Sequence, residues 1–453
     1  MKGKSSRDLA LQVLKKLSVK TIHSHLYLDD IFRKNEDLTG LDRAFVSHLV
    51  LGVLRWQGRL DWIIDQKTDF SIKKISPTIR NILRLALYQV FFMDRVPDSA
   101  AVNEAVKQTK TSRNRHGISF VNGLLRTVCR DKEALPLPDR EKALPHHLAV
   151  RYAYPEWLVN KWLKEWGQPF TEKLLDAGNT HPALTLRTNT LRTSRHALMK
   201  TLRDEGLDPK ATLFSPEGIV LQGFRGRPDL IESFREGLFQ VQGEAAQLTA
   251  HILSPSPNDL VLDLCAGLGG KTTHLAALMG NQGSIVAMDM NLKKLGKLRS
   301  NAFRLGIRTI LTVLGNSAPP CSMPLRTSFD KILLDAPCSG LGVVSKHPDG
   351  KWNRNEADID RLSRLQRSMV THAAPLLKNG GHLLYVTCTI SGPENEGVVD
   401  KVLSTCNNLS LLDIKKHLPH WGRNISDDSG FLRTFPHIHG MEGFFAALFE
   451  KTN

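Results

Sequence analysis

The chain has 453 residues, of which 41% are apolar and 23% charged, and its 61 Lys and Arg outnumber 45 Asp and Glu for a formal net charge of +16. That length exceeds one hydrophobic core and predicts two or three domains. No apolar run approaches ~18 residues, which excludes a spanning helix and predicts no membrane partner.

The six cysteines are scattered with no CxxC pair, so neither a metal nor a disulfide framework is expected, and a reducing cytoplasmic setting is. The charge is uneven. Residues 1–140 hold 25 basic and 15 acidic side chains, the remaining 313 hold 36 and 30. A basic first third points to a polyanion, most simply nucleic acid, with a solubilising surface as the alternative.

The opening MKGKSSRDLALQVLKKL has no apolar core or cleavage site, so no secretory signal is expected, and Leu9, Val13, Leu14 and Leu17 predict a first helix. Apolar residues at three and four then predict helices over 43–64, 75–92, 99–110 and 119–130, with starts at Ser76-Pro77 and Asp98-Ser99. Residues 1–140 therefore read as an all-α bundle. Its polar loop KQTKTSRNRHG (107–117) offers Lys107, Lys110, Arg113, Arg115 and His116 to phosphates, or simply to solvent. The stretch 141–180 reads as a linker and a helix whose Trp157, Trp162 and Trp166 are expected to pack between domains. Residues 181–240 contain a small α+β unit, a strand–helix–strand over 183–223.

From 241 to 453 the texture becomes α/β. Strand-like runs at 259–265, 283–290, 308–315, 329–337 and 381–388 alternate with helical segments and predict a doubly wound, mostly parallel sheet. FFAALFEK (444–451) is expected as a last, antiparallel strand. After the first run comes DLCAGLGGKT, where Gly267, Gly269 and Gly270 turn the chain tightly into a helix. A glycine turn after a strand is common to nicotinamide, flavin and S-adenosylmethionine sites. Asp289, ending the next strand, suits ribose hydroxyls. Asp263 lies inside the strand before the loop, where it would orient an amino group and repel a pyrophosphate, which favours S-adenosylmethionine.

Strand ends form the ligand crevice of an open parallel sheet, so Asp263, Asp289, Asn316, Asp335, Cys338 and Cys388 are expected to converge. Two thiols beside a methyl donor suit carbon 5 of a pyrimidine. That carbon is a poor nucleophile until a thiolate adds at carbon 6, and its proton must leave before the thiolate is expelled. Lys271 and nearby helix N-termini would favour the thiolate, and Asp335 would hold the N3/amino edge of cytosine. Amino-group methyltransferases show Asn/Asp-Pro-Pro-aromatic at this strand end; Asp335-Ala336-Pro337-Cys338 argues for a carbon target.

These residues resemble a family. DAPCSGLGVVSKHPDGKW (335–352), TCTISGPENE (387–396) and DLCAGLGGKTTH (263–274) are similar to the motifs of bacterial small-subunit ribosomal RNA (cytosine-5) methyltransferase B. LDRAFVSHLVLGVLR (41–55), LRLALYQ (83–89), AAVNEAV (100–106) and FVNGLLR (120–126) resemble the antitermination factor NusB, whose bundles bind RNA. The resemblance implies a class I methyltransferase sheet preceded by a NusB-like bundle, with Cys388 as nucleophile and Cys338 assisting proton removal and release. It also implies that S-adenosyl-L-methionine lies against Cys265, Ala266, Gly267, Leu268, Gly269, Gly270, Lys271, Asp289, Asn316 and Asp335, and that Lys271 also contacts the base.

The chain departs from the family's Cys-Ala-Ala-Pro-Gly-Gly-Lys loop at Gly267 and Leu268, which is expected to loosen the loop. It also departs at Asn316, Gly243, Glu442 and Thr389. The expected protein is a cytoplasmic monomer that methylates one cytidine of small-subunit ribosomal RNA. The alternatives are the same chemistry on tRNA, a non-catalytic ribosome-assembly RNA binder, and a nicotinamide oxidoreductase.

Overall fold

The computed structural model describes residues 5–19, 23–112, 117–134, 136–224, 226–318, 327–419, 422 and 425–452. Arg113, Arg115 and His116 of the basic loop, and Cys321, lie outside the described residues. Two compact units divide the chain, one of residues 1–181 with 344–353, the other of 182–343 with 354–453.

The first unit is all helical. Helices Ser6–Leu17, Ser24–Lys34, Gly40–Asp65, Pro77–Phe92, Asp98–Thr111 and Gly117–Arg130 enclose one apolar core that includes Leu9, Val50, Ile64, Ile82, Leu87 and Leu125. Local chemistry sets their starts. Thr39 and Asp42 form a reciprocal capping box, and Ser76 Oγ accepts from the Ile79 amide ahead of Pro77 at the first turn. Asp98 is the first helical residue; Pro97 takes the cap position without a side-chain bond.

The stretch expected as a linker contributes two further helices to this unit, Leu144–Tyr152 and Glu156–Ala177. Trp162 is buried within the unit beside Tyr154 and Trp166. Residues 344–353, the second half of the DAPCSG…HPDGKW motif, also fold here. Lys351 is fully buried, donating to the Arg55 carbonyl at 2.9 Å and to Asn179 Oδ1 at 3.2 Å, with its ammonium 3.8 Å from the Tyr154 ring centroid. Asp349 accepts from Ser24 Oγ at 2.7 Å.

The second unit begins with a four-stranded antiparallel sheet made of β1 (Leu184–Thr188), β2 (Pro209–Ala211), β3 (Gly218–Leu221) and β4 (Phe239–Val241), in the order β2-β3-β1-β4. Helix Arg195–Asp204 packs on it through Leu198 and Leu202. The strand–helix–strand reading thus omitted β2 and β4, each only three residues long and without visible alternation.

The larger sheet comprises β5 (Leu260–Leu264), β6 (Ser284–Asp289), β7 (Ile310–Leu314), β8 (Phe329–Asp335), β9 (Leu377–Thr387), β10 (Leu409–Leu412), β11 (Leu432–Thr434) and β12 (Phe444–Lys451). Its order is β10-β12-β9-β8-β5-β6-β7, with β11 against β12. Strands β5 to β9 pair in parallel, whereas β12 runs antiparallel to β9, as FFAALFEK predicted. Alternate residues feed the two faces: Val261, Leu333 and Leu384 one core, Leu262, Ile332 and Leu383 the other. The strand order reverses between β5 and β8. Their carboxyl ends therefore open a crevice that no crossover helix covers.

Candidate active site

The crevice gathers the residues that end β5, β8 and β9. Lys271, one residue into helix Gly270–Leu278, donates to Asp335 Oδ2 at 2.6 Å, and its ammonium stands 5.2 Å from the Phe444 ring centroid. Burial alone would lower Lys271, but the adjacent Asp335 carboxylate, with contributions from Cys388 and Asp263, raises it above its ordinary value. It remains an ammonium.

The Cys338 and Cys388 sulfurs lie 3.3 Å apart. The hydrogen bond with Cys388, then burial, hold the Cys338 thiol well above the usual range. Cys265 is a different kind of thiol. Burial pushes it up to about 12, and it contacts Ser317 Oγ at 3.4 Å. It is an inert wall.

Of the residues expected around the cofactor, Asp263, Cys265, Ala266, Gly267, Leu268, Gly270, Lys271 and Asp335 line one cavity, completed by Gln242 and Ala246. Gly269, Asp289 and Asn316 do not line it. Asp289 instead holds the loop, Oδ2 accepting from the Gly267 amide at 2.9 Å and Oδ1 from the Asn291 amide at 2.8 Å. Its remaining lone pairs stay available to hydroxyls. Asn316 Oδ1 accepts from the Ala318 amide at 3.0 Å.

Two glycines of the loop have local reasons. Gly267 sits at φ +58°, a left-handed conformation that glycine adopts at no steric cost. At Gly269, with φ +81°, a Cβ would stand 2.5 Å from Leu298 Cγ.

The donor set fits S-adenosylmethionine on one observation in particular. Asp263 is fully buried in the cavity wall; Oδ2 accepts from Thr272 Oγ1 at 2.6 Å, while Oδ1 has no hydrogen-bond partner among the described residues. A ligand ammonium would satisfy it. Burial pushes the Asp263 carboxyl up to about 7 from an ordinary 3.8. The folded protein then holds a proton there that the unfolded chain releases. Asp263 therefore costs stability progressively as pH rises from about 4 to 7, by about 4 kcal/mol in all. Asp263→Asn is expected to flatten that slope and raise the melting midpoint at pH 8, and to weaken S-adenosylmethionine. Melting curves from pH 5 to 8 with and without ligand check both; an unchanged slope would remove Asp263 as the buried acid.

Sequence reasoning missed a second layer. Glu394 is fully buried, and burial pushes its carboxyl up. Its Oε1 accepts from the Ser339 amide at 2.8 Å and Gln366 Nε2 at 3.1 Å; its Oε2 accepts from Ser339 Oγ at 2.5 Å and lies 3.4 Å from Thr389 Oγ1. One carboxylate thereby ties the residue after Cys338 to the residue after Cys388. Arg187, from β1, donates to the Gly270 carbonyl at 2.6 Å, to Thr273 Oγ1 at 3.1 Å and to Gln242 Oε1, locking the cofactor loop from behind. Arg187→Met is expected to raise the KM for S-adenosylmethionine about tenfold while sparing kcat, because it frees the loop without touching the thiols. Equal losses in both constants would reject that role.

Comparison with known proteins places this geometry. Residues 250–450 match the family model for 16S rRNA methyltransferase RsmB/F, residues 4–130 that of the NusB family, and residues 154–225 the ferredoxin-like domain of RsmF/B-like methyltransferases. A probable ribosomal RNA small subunit methyltransferase B of Synechocystis is 37% identical over 99% of both chains. Its Bacillus subtilis counterpart is 33% identical over 100% of both. Among solved structures, PH0851 superposes with a TM-score of 0.80 at 26% identity over 99% of both chains. NSun6 from Pyrococcus horikoshii, solved with SFG, gives 0.57 at 25% identity over 67% of this chain and 99% of its own.

Proposed function

The chain belongs to the 16S rRNA methyltransferase RsmB/F family, and on that premise we propose that it methylates carbon 5 of one cytidine in small-subunit ribosomal RNA through a covalent adduct on Cys388. Membership carries the coarser activity, S-adenosylmethionine-dependent methylation of ribosomal RNA. The finer reading rests on the thiol pair at the switch point, 3.3 Å apart with Cys338 held protonated and Lys271 charged beside Asp335.

S-adenosylmethionine, when bound, supplies a sulfonium methyl group. Asp263 would hold its ammonium and the Gly267–Lys271 turn its body. Cys338 donates to Cys388 and Lys271 adds positive potential, which together favour the Cys388 thiolate. That thiolate bonds to carbon 6, and Asp335 holds the N3/amino edge where charge accumulates. Electron density moves to carbon 5, which takes the methyl. Once the Cys388 sulfur is bonded to carbon 6 it no longer holds the proton on Cys338; Cys338 releases that proton to solvent, its thiolate takes the carbon 5 proton, and the C6–S bond breaks to return the 5,6 double bond and the Cys388 thiolate. The basic first unit is the element that would hold the RNA.

The test uses protein-free small-subunit ribosomal RNA carrying tritium at carbon 5 of its cytidines. One tritium released per methyl transferred is the expected result. Methyl transfer without release would move the target to another atom. Transfer to tRNA transcripts alone would keep the chemistry and change the substrate.

A further inference from the structure

Three side chains that the methyl-transfer scheme does not use converge inside the second unit. Glu217 precedes β3, His251 lies in helix Glu244–Leu253 and His274 in helix Gly270–Leu278. Glu217 Oε2 is 2.9 Å from His251 Nε2 and 3.9 Å from His274 Nε2, and the two imidazole centroids are 5.2 Å apart. One donor atom from each residue falls within 4.8 Å of the others.

His274 supplies the independent observation. It is 1% exposed, and neither of its ring nitrogens has a hydrogen-bond partner among the described residues. A buried imidazole left without partners is costly, and coordination would use its free lone pair.

Donor atoms around a tetrahedral ion with bonds of about 2.0–2.1 Å stand about 3.3 Å apart, so the separations of 2.9 and 3.9 Å bracket the required value. We propose that Glu217, His251 and His274 form a binding site for a divalent transition metal, zinc by its donor set, with water in the fourth position. The His251 side chain retains 12% exposure, which gives the ion and its water a way in.

Two imidazoles and one carboxylate suit zinc or cobalt and not the oxygen-seeking magnesium. Such an ion would clasp the small sheet to the two helices that flank the cofactor loop. Cysteine spacing could not reveal it, because the ligands are nitrogen and oxygen donors from positions 217, 251 and 274.

The full chain, stripped with a chelator and titrated with Co²⁺, tests the site. One equivalent should bind with the visible absorption of a four-coordinate ion and be displaced by one equivalent of Zn²⁺. His251→Ala should weaken binding by more than the roughly 10–100-fold that loss of an outer partner costs. Zn²⁺ should raise the melting midpoint of the wild type by several degrees and leave that of His251→Ala unmoved. Glu217→Gln, which keeps shape, serves as the second ligand variant if His251→Ala folds poorly. Cys388→Ser should bind as the wild type does. Failure of stoichiometric binding would overturn the site, as would binding that survives both ligand variants and disappears in Cys388→Ser.

Discussion

Cys338→Ala is expected to stall the enzyme on its RNA, leaving a protein–RNA adduct that survives a denaturing gel, whereas Cys388→Ala forms none. The two sulfurs are 3.3 Å apart, and the proposed mechanism gives them different work. Cys338 is held protonated by Cys388 and by burial, while Lys271 lends its charge toward Cys388. Removing Cys388 removes the bond-forming atom, and methyl transfer should fall by about four orders of magnitude or more. Removing Cys338 leaves addition and methylation possible but takes away the base for elimination, so the C6–S bond persists. Labelled S-adenosylmethionine, with the gel read for radioactivity at the mass of the adduct, separates the cases. An adduct in Cys388→Ala, or free turnover in Cys338→Ala, would reverse the assignment.

Glu394→Ala should also lower activity, and without touching either sulfur. The buried carboxylate accepts from the Ser339 amide, Ser339 Oγ and Gln366, and borders Thr389 Oγ1. Alanine leaves the Ser339 amide unpaired and a void between the two cysteine loops, a loss of about 3 kcal/mol in stability. A displacement of the thiols by about 1 Å would lower kcat roughly 100-fold.

Glu394→Gln tests geometry against charge. Its amide can still accept from the Ser339 N–H and face the two hydroxyls, so most activity should return. Burial pushes the Glu394 carboxyl up, so its surroundings oppose the charge that glutamine removes. If glutamine is as damaging as alanine, the charge itself is needed and the positioning role fails.

How much of this was legible beforehand divides along a physical line. Period-2 and period-3.6 patterns are local. They located the helices of the first unit, the parallel strands of the large sheet and the antiparallel Phe444–Lys451 strand. The rule that ligands gather at strand ends predicts that Asp263, Asp289, Asn316, Asp335, Cys338 and Cys388 converge; Asp263 and Asp335 line the cavity and the two sulfurs meet, whereas Asp289 and Asn316 do not line it. Short strands escaped: β2 and β4 are three residues each and acquire their pairing only from β3 and β1. Sequence places Asp289 against ribose hydroxyls; in the fold its carboxylate also accepts from the Gly267 and Asn291 amides, a role no spacing shows.

By itself the sequence determined the succession of elements, the glycine turn into Lys271 and the placing of two thiols after neighbouring strands, since each is written in contiguous residues. Tertiary structure alone decided that the two sulfurs meet, that Glu394 ties both cysteine loops, that Arg187 reaches Gly270, and that residues 344–353 fold with the helical unit. The reason is the same in each case. A buried polar group must find its partner, and that partner is set by where a distant segment folds back, not by any spacing along the chain.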